Sequence, residues 1–260
     1  MEECGDLITE NNMKIIYILW LRQLKRYVRS KARMISSLAQ PILFLVALGF
    51  GFGPTFAKSG QGNYIQFLAP GIIAMTILFT AVFSGIEIIW DKQFGFLKET
   101  LVAPVSRFKI MLGRTLGGAT VAAVQGLVVL FVTFIVGFRL TNWLMLPVAF
   151  IFMTLIALLF TGLGTAIASK MEDMQGFPLI MNFIIMPLFF LSGALFPIDD
   201  LPKALKIVTQ LNPLSYGVDG VRGSLVGLSH FSLFTDFALL SVITLAVIAI
   251  GAYLFSKVEA

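Results

Sequence analysis

The chain has 260 residues, of which 58% are hydrophobic and 13% charged, and its formal net charge is +5. An average soluble domain is about a quarter charged, and a soluble fold of this length would lack the polar surface needed to cover its core. The composition therefore excludes an ordinary soluble protein and predicts an integral membrane protein.

Six stretches are apolar and long enough to cross a hydrocarbon core of about 30 Å, which takes roughly 20 residues each. They lie at 34–53, 68–89, 115–137, 144–168, 177–197 and 235–255. We therefore predict an all-α, polytopic fold with six transmembrane helices, organised as one membrane domain over residues 1–260. The acidic start of the chain and the late first apolar run argue against a cleaved signal peptide.

The distribution of basic residues predicts the orientation of these spans. With the N-terminus inside, 14 of the 19 Lys and Arg residues fall in cytoplasmic segments and 5 in outer segments. The positive-inside rule then places both termini and the 90–114 loop in the cytoplasm. The net positive charge thus indicates topology, and we expect no nucleic-acid partner.

Residues 14–33 precede the first span and mix apolar with basic side chains. Ile15, Ile18 and Leu19 recur at helical spacing among basic residues such as Arg22 and Lys25. This pattern favours a helix that lies in the inner membrane interface, on anionic lipid. The alternative is a basic flank that only fixes the orientation of the first span.

The 90–114 loop contains a short amphipathic segment at 92–104, which Pro104 ends. Aromatic and aliphatic side chains alternate there with Lys92, Lys98 and Glu99. The segment is too short to cross the membrane, and an exposed apolar face of this kind requires a membrane or protein partner.

The 198–234 segment, between spans five and six, predicts two short helices near 203–211 and 214–227. Neither is long enough to cross the hydrocarbon core at about 1.5 Å per residue. Two interpretations stay open from the residues alone. The pieces either dip part-way into the membrane from the outside or form an outer surface loop.

Residues for catalysis or metal binding are scarce. The chain has one Cys, Cys4, and one His, His230, and it contains no GxxxxGK[ST] phosphate loop. We therefore expect no catalytic site, no metal site and no cofactor in this chain. If the protein uses ATP, another chain must bind it.

Three neutral polar residues lie deep in the predicted spans: Gln40, Gln125 and Asn182. Such side chains form hydrogen bonds between helices or line a translocation path, and both roles stay open. The carboxylate of Glu87 is placed at the inner end of the second span, where the sequence favours a solvated anchor. The spans otherwise lack ionisable residues at depth, which argues against ion-coupled transport.

Two stretches carry a resemblance to a known family. They are FGFLKETLVAPVSRFKIMLGR and LFFLSGALFPIDDLPKALKIVTQLNPLSYGVDGVRGSLVG. The second contains an SGxxFP motif, an NP pair and a D-x-x-R motif. Both resemble the membrane subunits of ABC-2-type exporters, above all the drug-resistance exporter permeases, with polysaccharide and nodulation-factor exporters as cousins. The motif residues of the outer segment are Ser192, Gly193, Phe196, Pro197, Asn212, Pro213, Asp219 and Arg222.

The resemblance implies a role for each non-spanning segment. It makes 14–30 a connecting helix, and 203–211 and 214–227 outer re-entrant helices. It also implies a coupling helix that docks on a separate nucleotide-binding ATPase subunit, through Phe94, Phe96, Leu97, Lys98, Glu99, Thr100, Leu101 and Pro104. The implied assembly holds two permeases, by default a homodimer, and two ATPases that bind ATP and Mg²⁺.

The implied function is export of a hydrophobic or amphiphilic substrate, drug-like or lipid-linked, across the plasma membrane of a prokaryote. A permease for polysaccharide or lipid-linked glycan export is an alternative within the family. A secondary carrier and a non-transporting membrane scaffold are the alternatives outside it. A carrier would transport without nucleotide, and a scaffold would not co-purify with an ATPase.

Overall fold

The computed structural model describes residues 2–58, 63–96, 105–198 and 201–257. Every regular element in these ranges is helical, which confirms the predicted all-α fold. Besides a short 3-10 helix at Trp143–Met145, the described ranges contain ten helices, numbered here in chain order: α1 (Glu2–Arg29), α2 (Lys31–Lys58), α3 (Tyr64–Phe83), α4 (Ile86–Gln93), α5 (Arg107–Val136), α6 (Leu146–Lys170), α7 (Gly176–Phe190), α8 (Lys203–Leu211), α9 (Pro213–Val226) and α10 (Leu233–Ser256).

Five helical stretches are long and apolar enough to cross a membrane: Met34–Phe56, Tyr64–Gln93, Arg107–Val136, Trp143–Lys170 and Leu233–Ser256. They correspond to five of the six predicted spans. The remaining predicted span, 177–197, differs, because α7 consists of three consecutive pieces of 5 residues, the middle one a π-helical turn. At about 1.5 Å per residue, α7 is shorter than the hydrocarbon core. The sixth crossing therefore stays a prediction.

Local sequence signals explain where several helices begin and end. The side chain of Asn63 accepts a hydrogen bond from the Ile65 backbone N–H at 3.0 Å, which caps α3. Asn212 caps α9 in the same way, and Pro213 occupies the first turn, where its missing N–H costs nothing. Gly227 ends α9 with a left-handed φ of 78°.

Helix α3 forms the centre of the bundle, where 14 of its 20 residues are buried. It packs against α2, α5, α6 and α9. Where α3 passes into α4, a Cβ on Gly85 would lie 2.4 Å from the carbonyl oxygen of Gly164 in α6. The two backbones therefore touch, which only glycine permits at this position.

Helix α1 packs along the first half of α5. Leu19 and Gln23 lie against Gly113 and Gly117 of α5, and Nε1 of Trp20 donates a 3.0 Å hydrogen bond to Oγ1 of Thr120. The other face of α1 exposes apolar side chains, among them Met13, Tyr17, Ile18 and Val28. Helix α1 is thus half covered by protein, and a position in the inner membrane interface stays a prediction for its exposed face.

Candidate functional site

Four charged side chains form a cluster beside the loop between α4 and α5, called here the inner cluster: Arg26, Glu87, Asp91 and Arg114. Asp91 in α4 accepts a hydrogen bond from Nη2 of Arg114 in α5 at 2.5 Å. Nη1 of Arg26 in α1 lies 3.8 Å from Oδ1 of Asp91 and 3.7 Å from Oε2 of Glu87. The inner cluster therefore joins α1 to both helices that flank the loop.

Burial distinguishes the inner cluster from a surface ion pair. Asp91 is 4% exposed, Arg114 5% and Glu87 6%. The interpretation of Glu87 as a solvated anchor is therefore wrong, because its side chain is buried and Nη1 of Arg26 lies 3.7 Å from its carboxylate. Charges removed from water need such opposite partners, and losing one partner is costly. Sequence analysis missed this arrangement, since Asp91 and Arg114 are separated by a loop and look like ordinary loop charges.

Two further contacts attach the flanks of the loop to the ends of other helices. Nζ of Lys92 donates to the carbonyl oxygen of Ser169 at 2.6 Å and to that of Met171 at 3.3 Å, at the end of α6. Nη1 of Arg107 donates to the carbonyl oxygen of Ser256, at the end of α10, at 2.8 Å. Both flanks of the loop are thus bonded to the bundle.

The predicted coupling segment lies between these two flanks. Phe94 is 62% exposed and Phe96 52% exposed, and Trp90 packs beside Phe94 with 5.7 Å between ring centroids. Helix α4 ends at Gln93, and Gly95 takes a left-handed φ of 78°. The other predicted coupling residues lie outside the described residues: Leu97, Lys98, Glu99, Thr100, Leu101 and Pro104.

A cavity of about 360 Å³ opens between α1, α2, α3 and α5, and the start of α4 completes its lining with Ile86 and Glu87. Its lining mixes hydroxyl and amide side chains with aromatic and aliphatic ones. Thr76 and Thr80 of α3, with Ser84 directly after its last residue, form a polar stripe, and Met75, Phe79 and Phe83 form an apolar stripe beside it. Both stripes follow the four-residue spacing that places side chains on one helix face. The cavity therefore offers hydrogen-bonding groups and apolar surface side by side.

The structure brings two of the three predicted path residues to this cavity. Gln40 lines it directly. Gln125 lies behind the lining, and its amide Nε2 donates hydrogen bonds to the hydroxyls of Tyr27 and Ser37, which do line it. Asn182 is exposed on α7 and is not among the lining residues. The three residues do not form a single site within this chain.

The outer motif centres on Arg222 in α9. Its Nη2 donates to the carbonyl oxygens of Gly193 at 2.9 Å and Ala194 at 3.3 Å. Its Nε donates to the carbonyl oxygen of Phe67 at 3.3 Å, and the guanidinium lies 3.9 Å from the centre of the Phe67 ring. Burial lowers the pKa of Arg222 to about 10 while the charge of Asp219 opposes the shift, so the guanidinium stays protonated at neutral pH.

Asp219, one turn before Arg222 on α9, holds the loop that leads to α10. Its two carboxylate oxygens accept hydrogen bonds from the backbone N–H of His230 at 2.9 Å, and Oδ2 accepts another from Phe231 at 2.7 Å. The Asn212 amide donates to the Leu188 carbonyl oxygen at 2.6 Å. The segment 191–198, α9 and the loop 227–232 are thus connected through backbone groups, and they are called here the outer cap.

The remaining outer motif residues play different parts. Ser192 is buried, and its hydroxyl donates to the carbonyl oxygen of Phe189 at 2.6 Å. Gly193 takes a φ of 72°, a left-handed conformation that glycine adopts without strain. Phe196 is exposed and Pro197 half-buried. The motif therefore acts mainly as a turn that presents carbonyl oxygens to Arg222.

A buried carboxyl that sequence analysis missed lies beside the outer cap. Asp236, in the first turn of α10, has no exposed surface, and its carboxyl oxygens meet no hydrogen-bond donor among the described residues, only the carboxylate of Asp219. The Asp219 carboxylate is close enough to interact with it electrostatically. With the inner cluster, Asp236 shows that ionisable side chains are buried at both ends of the bundle, which the sequence analysis did not foresee.

Within the described ranges, no three His, Cys, Asp or Glu side chains come together as a metal site would require. The described residues form three features instead. The first is the set of contacts that attach both flanks of the 92–104 segment, called here the apolar loop, to the bundle. The others are the cavity lined by polar and apolar side chains and the outer cap.

Comparison with known proteins gives one consistent result. A family model described as ABC-2 type transporter matches residues 15–226. The putative transport permease ycf38 of Cyanophora paradoxa is 29% identical over 257 residues, which cover 94% of this chain and 88% of the relative.

Two bacterial relatives match over most of their length. Nodulation protein J of Rhizobium leguminosarum bv. trifolii is 30% identical over 213 residues, covering 81% of this chain and 78% of the relative. The inner membrane transport permease YadH of Escherichia coli strain K12 is 25% identical over 234 residues, covering 88% of this chain and 89% of the relative.

Proposed function

This chain belongs to the ABC-2 type transporter family, and we propose that it is the membrane subunit of an exporter driven by ATP hydrolysed on a separate subunit. Its cargo is a hydrophobic or amphiphilic molecule, drug-like or lipid-linked, that leaves the cytoplasm. The chain has no phosphate loop of its own, so ATP and Mg²⁺ bind to the partner ATPase.

One observation supports ATP coupling above the others. The apolar loop has both of its flanks bonded to the bundle, through the inner cluster to α1 and through Lys92 and Arg107 to the ends of α6 and α10. A force applied to the loop is therefore delivered to several helices at once. An unattached loop would absorb it.

The mechanism that follows is alternating access. ATP closes the partner ATPase and displaces the apolar loop. The contacts at the flanks of the loop then move α4 and α5 with it. Packed helices change between discrete arrangements rather than deforming continuously. Nucleotide shifts that equilibrium only if the ATPase contacts the loop differently in the two states, and the exposed Phe94 and Phe96 extend the surface available for such contacts.

The proposed assembly contains two copies of this chain and two ATPase subunits in the plasma membrane of a prokaryote, with lipid around them. Both termini face the cytoplasm, on the side of the apolar loop. Helices α2 and α10 suit contact with lipid or with the second copy, because most of each stays exposed in the single chain.

The decisive experiment substitutes single residues of the apolar loop. We expect Leu97→Asp and Leu101→Asp to abolish the stimulation of ATPase activity by the membrane subunit, because a carboxylate would have to be desolvated at the docking surface. Leu144→Asp is the matched control, since Leu144 is 82% exposed at the opposite end of the bundle. All three variants are checked for membrane insertion by extraction and size-exclusion chromatography.

Normal ATPase stimulation in both loop variants would refute the coupling role of this segment. Transport in sealed vesicles separates the other two hypotheses. Uptake into inverted vesicles without nucleotide would indicate a secondary carrier. Absence of any co-purifying ATPase, together with absence of transport, would indicate a scaffold.

A further inference from the structure

We infer that the cavity between α1, α2, α3 and α5 is a binding site, complete within one subunit, for an amphiphile with an uncharged, hydroxyl-rich head group. The inference rests on the proposed function, because it names the class of cargo that the exporter accepts. The volume of the cavity, about 360 Å³, lies within the range of small-molecule pockets.

The position of the cavity points to entry from the inner leaflet. Its lining comes from the end of α1, the first part of α2, the second half of α3, the start of α4 and the first half of α5. With the N-terminus in the cytoplasm, each of these parts lies in the cytoplasmic half of the bundle. An amphiphile resting in the inner leaflet reaches the cavity without crossing the membrane.

The lining favours hydrogen bonds over charge. Ser36, Ser37 and Gln40 on α2 face the cavity together with the hydroxyl stripe on α3. Each hydroxyl retains acceptor capacity even where it donates to its own helix, as Thr76 does to the carbonyl oxygen of Ile72 at 2.9 Å. Several donors and acceptors along about 12 Å suit a head group with several hydroxyls.

A charged head group finds no matching partner there. Glu87 is the one charged residue among the described residues that line the cavity, and Arg26 faces its carboxylate at 3.7 Å. A cationic or anionic head would therefore lose its hydration without gaining an unpaired opposite charge. The apolar stripe of Met75, Phe79 and Phe83 packs against the hydrocarbon chain of the ligand. The uncharged amphiphile is thus contacted at its head group by hydroxyls and at its hydrocarbon chain by apolar side chains.

The test uses photolabelling. The full-length protein is reconstituted into phosphatidylcholine nanodiscs without nucleotide and exposed to an alkyl maltoside with a diazirine in its chain. We expect labelled peptides to map to 36–41 and 75–84. Dodecyl maltoside should compete at least about tenfold better than dodecyltrimethylammonium or dodecyl sulfate, because the charged heads must be desolvated.

Two pairs of variants localise the label. Val121→Phe fills the cavity from α5 and should reduce labelling about tenfold, whereas Val124→Phe, on the exposed face of the same helix, should not. Thr80→Val removes one hydroxyl at constant shape and should weaken competition about fivefold, the equivalent of one neutral hydrogen bond. Thr154→Val on α6 is its control.

The outcomes test the head-group chemistry and the location of the site separately. Equal competition by the three head groups overturns the head-group chemistry, and labelling that Val121→Phe leaves unchanged overturns the site. Because no nucleotide is present, this result is independent of ATP coupling. Labelling that survives in Leu97→Asp, in which ATPase stimulation is lost, would support both claims separately.

Discussion

The inner cluster and the outer cap satisfy their buried charges in opposite ways. In the inner cluster, side chains from α1, α4 and α5 pair with one another, as Asp91 does with Arg114. In the outer cap, charged side chains are bonded to backbone groups, Arg222 to three carbonyl oxygens and Asp219 to two N–H groups.

Under the proposed mechanism, this difference separates the part of the bundle that moves from the part that stays fixed. Ion pairs between side chains of different helices can lengthen or exchange partners as the helices shift. Such repacking is common in conformational transitions. Bonds to backbone groups hold turns and helix ends in one conformation. The inner end is therefore suited to transmit motion from a motor, and the outer end is suited to act as a fixed cap.

The largest effect is expected at the Asp91–Arg114 pair. Asp91→Leu leaves the guanidinium of Arg114, which is 5% exposed, without its hydrogen-bonded carboxylate. Removing one partner of a buried pair costs about 3–5 kcal/mol, and we expect a loss of that size in the free energy of unfolding, measured by SDS titration in mixed micelles.

The double variant Asp91→Leu with Arg114→Leu is the control. It removes both charges, and replacement of a buried pair by apolar side chains is often neutral, so we expect most of the stability to return. ATPase stimulation should be low in the single and the double variant alike, because the bond between α4 and α5 is missing in both. A loss below about 1 kcal/mol in the single variant would show that the pair does not hold the inner end.

Hydropathy predicted the fold well because membrane crossing depends on local composition. Five predicted spans coincide with long apolar helices, but α5 begins at Arg107 rather than near 115. Its first two turns carry basic residues that continue the helix outside the hydrocarbon region. The predicted span 177–197 was too long, because the apolar residues after Phe190 form an irregular segment. Hydropathy cannot distinguish an apolar turn from an apolar helix.

The candidate sites were harder to predict because they depend on distant partners. Arg222 meets Phe67, which is 155 residues away, and Tyr27 meets Gln125, which is 98 residues away. The hydroxyl stripe on α3 had a local signal, the four-residue spacing of Thr76, Thr80 and Ser84. Within a strongly apolar span that spacing carries little weight until a cavity is found beside it.

A smaller effect is expected at Arg222, and it tests whether the outer cap is fixed by backbone contacts. Arg222→Lys retains the positive charge but loses the planar fork that reaches several carbonyl oxygens. We expect a loss of about 2 kcal/mol, the penalty for carbonyls left without donors. Hydrogen exchange should also accelerate in 191–198, where Gly193 and Ala194 lie.

Arg139→Lys provides the comparison for this substitution, because Arg139 is exposed near the same end of the bundle. It should change neither stability nor exchange. Unchanged exchange in 191–198 of Arg222→Lys would show that the outer cap does not depend on the guanidinium. The cap would then be held by helix packing alone.

The smallest effect is expected at Asp236, whose carboxyl meets no hydrogen-bond donor among the described residues and faces the carboxylate of Asp219. Burying such a group is unfavourable, so Asp236→Leu should change the free energy of unfolding by no more than about 1 kcal/mol, or raise it. Asp236→Asn keeps the shape and can donate to the Asp219 carboxylate. A loss above about 2 kcal/mol in the Leu variant alone would mean that Asp236 shares a proton with Asp219. A contact between side chains would then join α9 to α10. The outer cap could in that case rearrange by exchanging side-chain partners, in the same way as the inner cluster.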